Sequence, residues 1–329
     1  MSERIAALTL NHIGDVVFVE PALTALRAGH PTARLVVITS PEGQAVLACN
    51  PAVDEVWVRQ RDGWSWCQLA RRLRRYMPTV AVSFSPSSLG LALCAFLSGA
   101  PRRIGFAFRP GLPLLFTAAL PLDPQRHVVE DYLALVETAG GKPVRQQPRL
   151  FVTAEERSHA YQRLQQLGWD GTTPLLGCHP FSSVASKEWS TDNFATLLRR
   201  LSGALGVQPV IFGSDAERHR AERLAHQVQG IVAAGALALR EFIAAVTWCS
   251  GFIGGDSGPV HIAAALGVPT VALFGPTDPI RTGPLGSQVT VVRSPTGDMR
   301  DIPLEAVWAA AKTLGTKVGA GQCPSRSSS

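Results

Sequence analysis

"GFIGGDSGPVHIAAALGVPTVALFG", residues 251–275, reads as strand, helix and strand. "GFIGG" is a short apolar run that ends in two glycines, and "TVALFG" is another such run. Between them Ser257 stands where a helix N-cap belongs, Pro259 suits the first helical turn, and Gly267 closes the helix. Two strands joined through a helix pair in parallel by a right-handed crossover, so the stretch predicts an α/β fold. Its polarity gathers at the helix start, where unpaired N–H groups and the positive end of the helix dipole favour an anion such as a pyrophosphate. Gly255, Ser257 and Gly258 are small enough to let a ligand approach the backbone. Asp256 would repel an anion and suits sugar hydroxyls as an acceptor, while simple helix capping is an equally good account of Asp256 or Ser257. His261 reads either as a core or capping-turn histidine or as a ligand-facing one.

Working outward, the same alternation fills the second half: "LLGCHP", a helix in "STDNFATLLRRLSGALG", "PVIFG", "DAERHRAERLAHQV", "IVAAG" and "LREFIAAVTWC" all precede the opening stretch. The first half repeats the theme, with strands in "IAALTL", "RLVVITS", "EVWVR" and "VAVSF", a loop "NHIGD" and a helix from Pro21 to Ala28. Polar, turn-rich text around 142–174 separates the two series. The chain therefore divides into residues 1–155 and 172–301, each a doubly wound sheet. A last helix follows at 302–315, then a Ser-rich tail at 316–329 with too little apolar content to fold. At 329 residues with 46% hydrophobic and 17% charged, there is material for two cores. Two such domains bind ligands beyond the carboxyl ends of their strands, in a cleft that they face.

Composition narrows the chemistry. The six cysteines are widely spaced with no C-x-x-C pair, which suggests neither zinc nor a disulfide framework and fits a reducing cytosol. The N-terminus lacks the pattern of a signal peptide. The longest apolar stretch, "LGLALCAFLSGA" at 89–100, is too short to span a bilayer and reads as a buried helix. Net charge +6 favours an anionic partner. No basic-aromatic motif accompanies it, so nucleic acid is not expected. Neither G-x-G-x-x-G nor G-x-x-x-x-G-K-[ST] occurs, which removes the main signals of dinucleotide oxidoreductases and P-loop NTPases.

Taken together, "DSGPVHIAAALGVPTVALFGPTDP" (256–279) resembles the C-terminal signature of glycosyltransferase family 9, the ADP-heptose:lipopolysaccharide heptosyltransferases. "IGDVVFVEPALTALRAGHPTARLVVITS", "SSVASKEWSTDNFATLL" and "VIFGSDAE" are similar to the family's start, its Lys-x-Trp segment and its strand-Gly-x-x-x-Glu loop. The resemblance implies a GT-B architecture: two Rossmann-like doubly wound domains facing across a cleft, the first for the acceptor and the second for a nucleotide sugar. It also implies that the last helix crosses back to the first domain. The implied reaction is metal-independent, inverting transfer of a heptose from ADP-heptose to a hydroxyl of the lipopolysaccharide core, another glycan or a small metabolite.

Carried over residue by residue, the resemblance makes Asp15 the general base and Lys187 the partner of the donor phosphates. Ser182 and Ser183 fall beside the phosphates, Glu217 at the ribose and Leu237 at the base pocket. Asp256, Ser257, Gly258 and His261 form the donor loop. From the residues alone, Asp15 has a second reading as an N-cap, and Lys187 one as a solvated loop lysine. Trp189 reads as packing. Asn11 and His12 before Gly14, and Phe18 and Val19 after, depart from the hydroxyl residues common in the family, so the acceptor side is unusual. His12, Arg59, Arg61 and Arg103 are its candidate contacts. The arginines at 71–75 lie on a helix, where most face solvent. The protein is expected in the cytoplasm, with peripheral contact at the inner-membrane surface. Competing readings are transfer of another nucleotide sugar and non-catalytic sugar or nucleotide binding.

Overall fold

The computed structural model describes residues 3–59, 63–107, 111–312 and 314. Arg61 and the tail 316–329 lie outside the described residues. The chain forms two compact units, Met1–Thr153 with Ile280–Gly286, and Ala154–Pro279 with Ser287–Ser329.

The first unit runs β1 (Arg4–Leu8), α1 (Ile13–Gly29), β2 (Arg34–Thr39), α2 (Pro41–Leu47), β3 (Glu55–Val58), α3 (Gly63–Tyr76), β4 (Val80–Ser83), α4 (Leu89–Leu97), β5 (Arg102–Phe106), β6 (Ala118–Leu120) and α5 (Val128–Thr138). Its six strands lie in the order β3-β2-β1-β4-β5-β6. All pairs are parallel, with Ile5 opposite both Leu35 and Val80. The order reverses between β1 and β4, and ligands of such sheets sit beyond the carboxyl ends of strands at that point. β2 is buried from Leu35 to Thr39, as its unbroken apolar run requires of an inner parallel strand.

One helix is longer than its sequence suggests. α1 starts at Ile13 and carries Pro21 inside it, so "NHIGD" is only partly loop and Asp15 lies in the first helical turn. A mid-helix proline costs roughly 3 kcal/mol. Burying Val16, Val17, Phe18, Val19, Leu23 and Leu26 outweighs that, at about 1.5–3 kcal/mol for each side chain. α4 is a helix as expected but not a buried one. Leu91, Ala92, Cys94 and Ala95 face the core, while Leu89, Leu93, Phe96 and Leu97 remain exposed.

The second unit runs α6 (Ala154–Gln166), β7 (Leu175–His179), α7 (Thr191–Leu205), β8 (Gln208–Ile211), α8 (Arg218–Val228), β9 (Ile231–Val232), α9 (Leu239–Val246), β10 (Cys249–Gly255), α10 (Gly258–Ala265), β11 (Thr270–Phe274), α11 (Pro279–Thr282, at the unit boundary), β12 (Val289–Arg293) and α12 (Leu304–Ala311). Strand order is β12-β11-β10-β7-β8-β9, again all parallel, with the reversal between β10 and β7. Phe212, Phe242 and Phe252 meet at centroid distances of 5.0 to 6.4 Å in its interior.

Both expected boundaries move. α6 belongs to the second unit, where Glu156 pairs with Arg240 of α9 at 2.6 Å and Tyr161 packs on Trp169 and Trp248. The last helix does not join the first unit: Val307, Ala311 and Leu314 are buried in one core with Leu197 and Leu201 of α7. Arg200 of α7 fixes it through Glu305 at 2.5 Å. The segment that does join the first unit is Ile280–Gly286. Arg281 pairs there with the buried Asp131 at 2.5 Å and donates to the carbonyls of Asp123 and Arg126, and His127 Nε2 meets the Gly283 carbonyl at 2.9 Å.

Candidate functional site

In the second unit the polar residues collect at the strand-order reversal. β10 and β7 are neighbours with Gly254 opposite His179, so the loops after both strands emerge side by side. Gly254 is required for that approach, because a Cβ there would stand 2.8 Å from the His179 carbonyl oxygen. Just beyond it, Asp256 is 9% exposed. Its Oδ2 accepts from Lys187 Nζ at 2.6 Å and from Thr277 Oγ1 at 2.8 Å, and Oδ1 lies 3.7 Å from His261 Nε2. Burial alone would raise its pKa; the bonds from His261, Lys187 and Thr277 outweigh burial and hold it at about 2. The carboxylate is therefore permanently charged and engaged with protein donors, which makes it a holder of Lys187 and His261.

Ser257 occupies the N-cap position of α10, but its side chain makes no capping bond. The hydroxyl turns instead to His179 Nδ1 at 3.4 Å and the Gly255 carbonyl at 3.3 Å. The Ser257 side chain therefore does not cap α10, and the Asp256 carboxylate is taken up by Lys187 and Thr277. His179 is itself buried, and desolvation lowers its pKa to about 4, so the ring is neutral near pH 7.

The loop after β7 is braced from within. Ser182 N donates to Glu188 Oε1 at 2.9 Å, and Arg220 of α8 grips the same carboxylate with two nitrogens at 3.0 and 2.5 Å while lying over the Phe181 ring. Trp189 packs on Phe194 and donates to the Ile302 carbonyl at 3.1 Å, as expected of a packing indole. These anchors hold Ser182, the exposed Ser183 and Lys187 on one short loop. Glu217 ends the loop after β8, where its Oε2 accepts from the backbone N and hydroxyl of Ser214. Leu237 is half-buried in the loop between β9 and α9. Glu188, Arg220, Thr277 and His179 were not singled out from sequence, although each stands next to or within a segment that was.

In the first unit His12 is the exposed N-cap residue of α1, without a capping bond, and Asp15 follows in the first turn. Both therefore sit beyond the carboxyl end of β1, at the reversal of that sheet. Burial chiefly, and then the Asp15 carboxylate, raise the Tyr132 phenol above its ordinary range, which places Asp15 toward α5. The arginine candidates fare differently. Arg59 is 6% exposed, hydrogen-bonded to the Asn11 side chain and stacked on Trp66 at 4.5 Å, so it braces the loop before α1. Arg103 is the second residue of β5, near the amino end of the strand, and its guanidinium donates to the carbonyls of Leu115 and Ala100 at 3.0 and 2.7 Å. Self-contained backbone bonding at the wrong end of the sheet removes it from the site.

Residues 66–306 match the profile of glycosyltransferase family 9 (heptosyltransferase). The chain is 29% identical to lipopolysaccharide heptosyltransferase 2 of Escherichia coli K12, over 89% of each chain. Among solved structures, a family 9 glycosyltransferase from Veillonella parvula superposes with TM-score 0.85 at 26% identity, covering 95% of this chain and 97% of that one. The E. coli ADP-heptose lps heptosyltransferase II gives 0.80 at 25%, covering 95% and 98%. The expected GT-B class and the recognised signatures thus hold, and the chain belongs to glycosyltransferase family 9, the heptosyltransferase family.

Proposed function

We propose that the protein transfers a heptose from ADP-heptose to a hydroxyl of a lipopolysaccharide core acceptor with inversion, on the cytoplasmic side and in peripheral contact with the membrane. One observation carries the donor half: along the order β10-β7-β8-β9 the carboxyl-end loops present Asp256 with His261, then Lys187, then Glu217, then Leu237. Neighbouring strands lie about 4.8 Å apart, so these groups are spread over about 14 Å. A line of carboxylate, cation, carboxylate and apolar side chain suits an extended ligand made of sugar, diphosphate, ribose and base in that order. Lys187 and the uncapped start of α10 meet the diphosphate, Ser182 and Ser183 add hydroxyl donors, Glu217 accepts from the ribose, and Leu237 covers the base.

In the reaction the acceptor oxygen attacks the anomeric carbon, the bond from that carbon to the diphosphate oxygen breaks, and the nucleoside diphosphate leaves with the electron pair. Asp15 takes the acceptor's proton as the new bond forms. Lys187 offsets the negative charge that grows on the departing group. The names of the relatives, a lipopolysaccharide heptosyltransferase 2 and an ADP-heptose lps heptosyltransferase II, support the choice of donor and acceptor.

The test is product mass after incubation with a heptose-deficient core oligosaccharide and ADP-, UDP- or GDP-activated sugars, each with and without a chelator. A heptose mass increment from ADP-heptose alone, undiminished by chelation, is the expected result. An increment from a UDP or GDP sugar in preference would replace the donor.

A further inference from the structure

Leu89, Leu93, Phe96 and Leu97 fall at i, i+4, i+7 and i+8 on α4 and are 56, 39, 46 and 50% exposed. α4 contains no polar side chain, so its outer stripe is as apolar as its inner one. Beside it, α3 turns Trp66, Cys67 and Ala70 toward Leu89, Leu93 and Leu97 across an apolar groove of about 360 Å³. Leu114, 83% exposed, extends the same surface in the turn that packs on α4. Continuous exposed apolar area of this kind marks an interaction site.

Charge identifies the occupant. Residues 63–122 contain seven arginines and no aspartate or glutamate, against a net charge of +6 for the whole chain. On α3, Arg71, Arg74 and Arg75 are exposed, and Arg74 reaches Gly99 at the end of α4. An apolar stripe rimmed by arginines is built to sink into an anionic interface, with the side chains among acyl chains and the guanidinium groups at the headgroups. A second copy of the chain would bring a like-charged face against it.

We propose that the α3–α4 face of the first unit docks on an anionic lipid bilayer. This names the surface for the membrane contact proposed above, and it is read by vesicle binding without turnover, so either idea can fail alone. The experiment is flotation of the full chain with phosphatidylcholine vesicles made with and without phosphatidylglycerol. The wild type should float with the anionic vesicles and be released by salt. Arg71→Gln with Arg75→Gln should weaken partition by about 25-fold, from about fivefold per arginine. Leu93→Ser with Phe96→Ser should also weaken it, with wild-type melting and ADP binding retained in both double variants. The proposal is overturned if the wild type ignores anionic vesicles or if both variants float as it does. It is equally overturned by a concentration-dependent dimer, seen in light scattering, that Leu93→Ser with Phe96→Ser dissolves while vesicles capture nothing.

Discussion

Asp15 and Asp256 follow a central strand of two sheets laid out alike, yet their settings differ. Asp256 sits before its helix inside a ring of donors from Lys187, Thr277 and His261 that keeps it ionised down to about pH 2. Asp15 sits three residues into α1, half-buried, with the uncapped His12 preceding the helix. A carboxylate gripped by cations is a weak base and a strong organiser, and Asp256 is of that kind. On the proposed function, the first unit would supply the base and the second would hold the donor.

Exchanging each acid for its amide tests that division most severely. Asp15→Asn should lower kcat by about 10²–10⁴-fold and leave donor affinity unchanged, as steady-state rates and calorimetry would show. Asp256→Asn should do the reverse, weakening donor binding because Lys187 and His261 lose their anchor. Equal damage to affinity from both variants would erase the contrast.

Next in size is the comparison of what secures each unit. Arg281→Ala leaves the buried Asp131 with Arg126 as its remaining cation, and should cost about 3 kcal/mol in urea unfolding. Arg200→Ala, which breaks a more exposed pair with Glu305 in the second unit, should cost well under that.

His179 sharpens the comparison through pH. Its folded pKa of about 4 lies below the ordinary 6.5, so between those values the unfolded chain binds a proton that the folded chain refuses. Stability should fall as pH drops through that window, by a few kcal/mol in total, and this group should add no further loss below it. Melting curves of His179→Gln should show a shallower acid limb. The smallest effect concerns the caps. Ser40→Ala removes a hydroxyl that accepts from Gly43 N at 3.1 Å and should cost about 1 kcal/mol. Ser257→Ala removes one that caps nothing and should fall within about 0.5 kcal/mol of wild type.

Periodicity made the alternation of strands and helices legible because inner parallel strands are unbroken apolar runs such as "RLVVIT" and "TVALF". Local pattern failed where distant packing decides. Pro21 looked like a helix start because nothing nearby reveals how much of α1 is buried. The stripe on α4 looked like core because apolarity does not say which face meets the protein. The polar loop from Asp256 to His261 could be read as one cluster, since those residues adjoin in sequence. Glu188 and Arg220 could not be paired from text, being brought together across thirty-two positions by the neighbouring strands β7 and β8. Arg59 and Arg103 show a limit of counting charge: the sequence does not say that the Asn11 side chain holds the one, or that backbone carbonyls hold the other.

The placement of Ile280–Gly286 bears on modularity. A single cut at residue 153 would not yield a complete first half, because Asp131 and His127 would lose Arg281 and the Gly283 carbonyl, which arrive more than a hundred residues later. Exchanging the first unit for that of another protein therefore needs three matched junctions, and a chimera spliced only after residue 153 keeps Arg281 but loses the Asp131 that it pairs with.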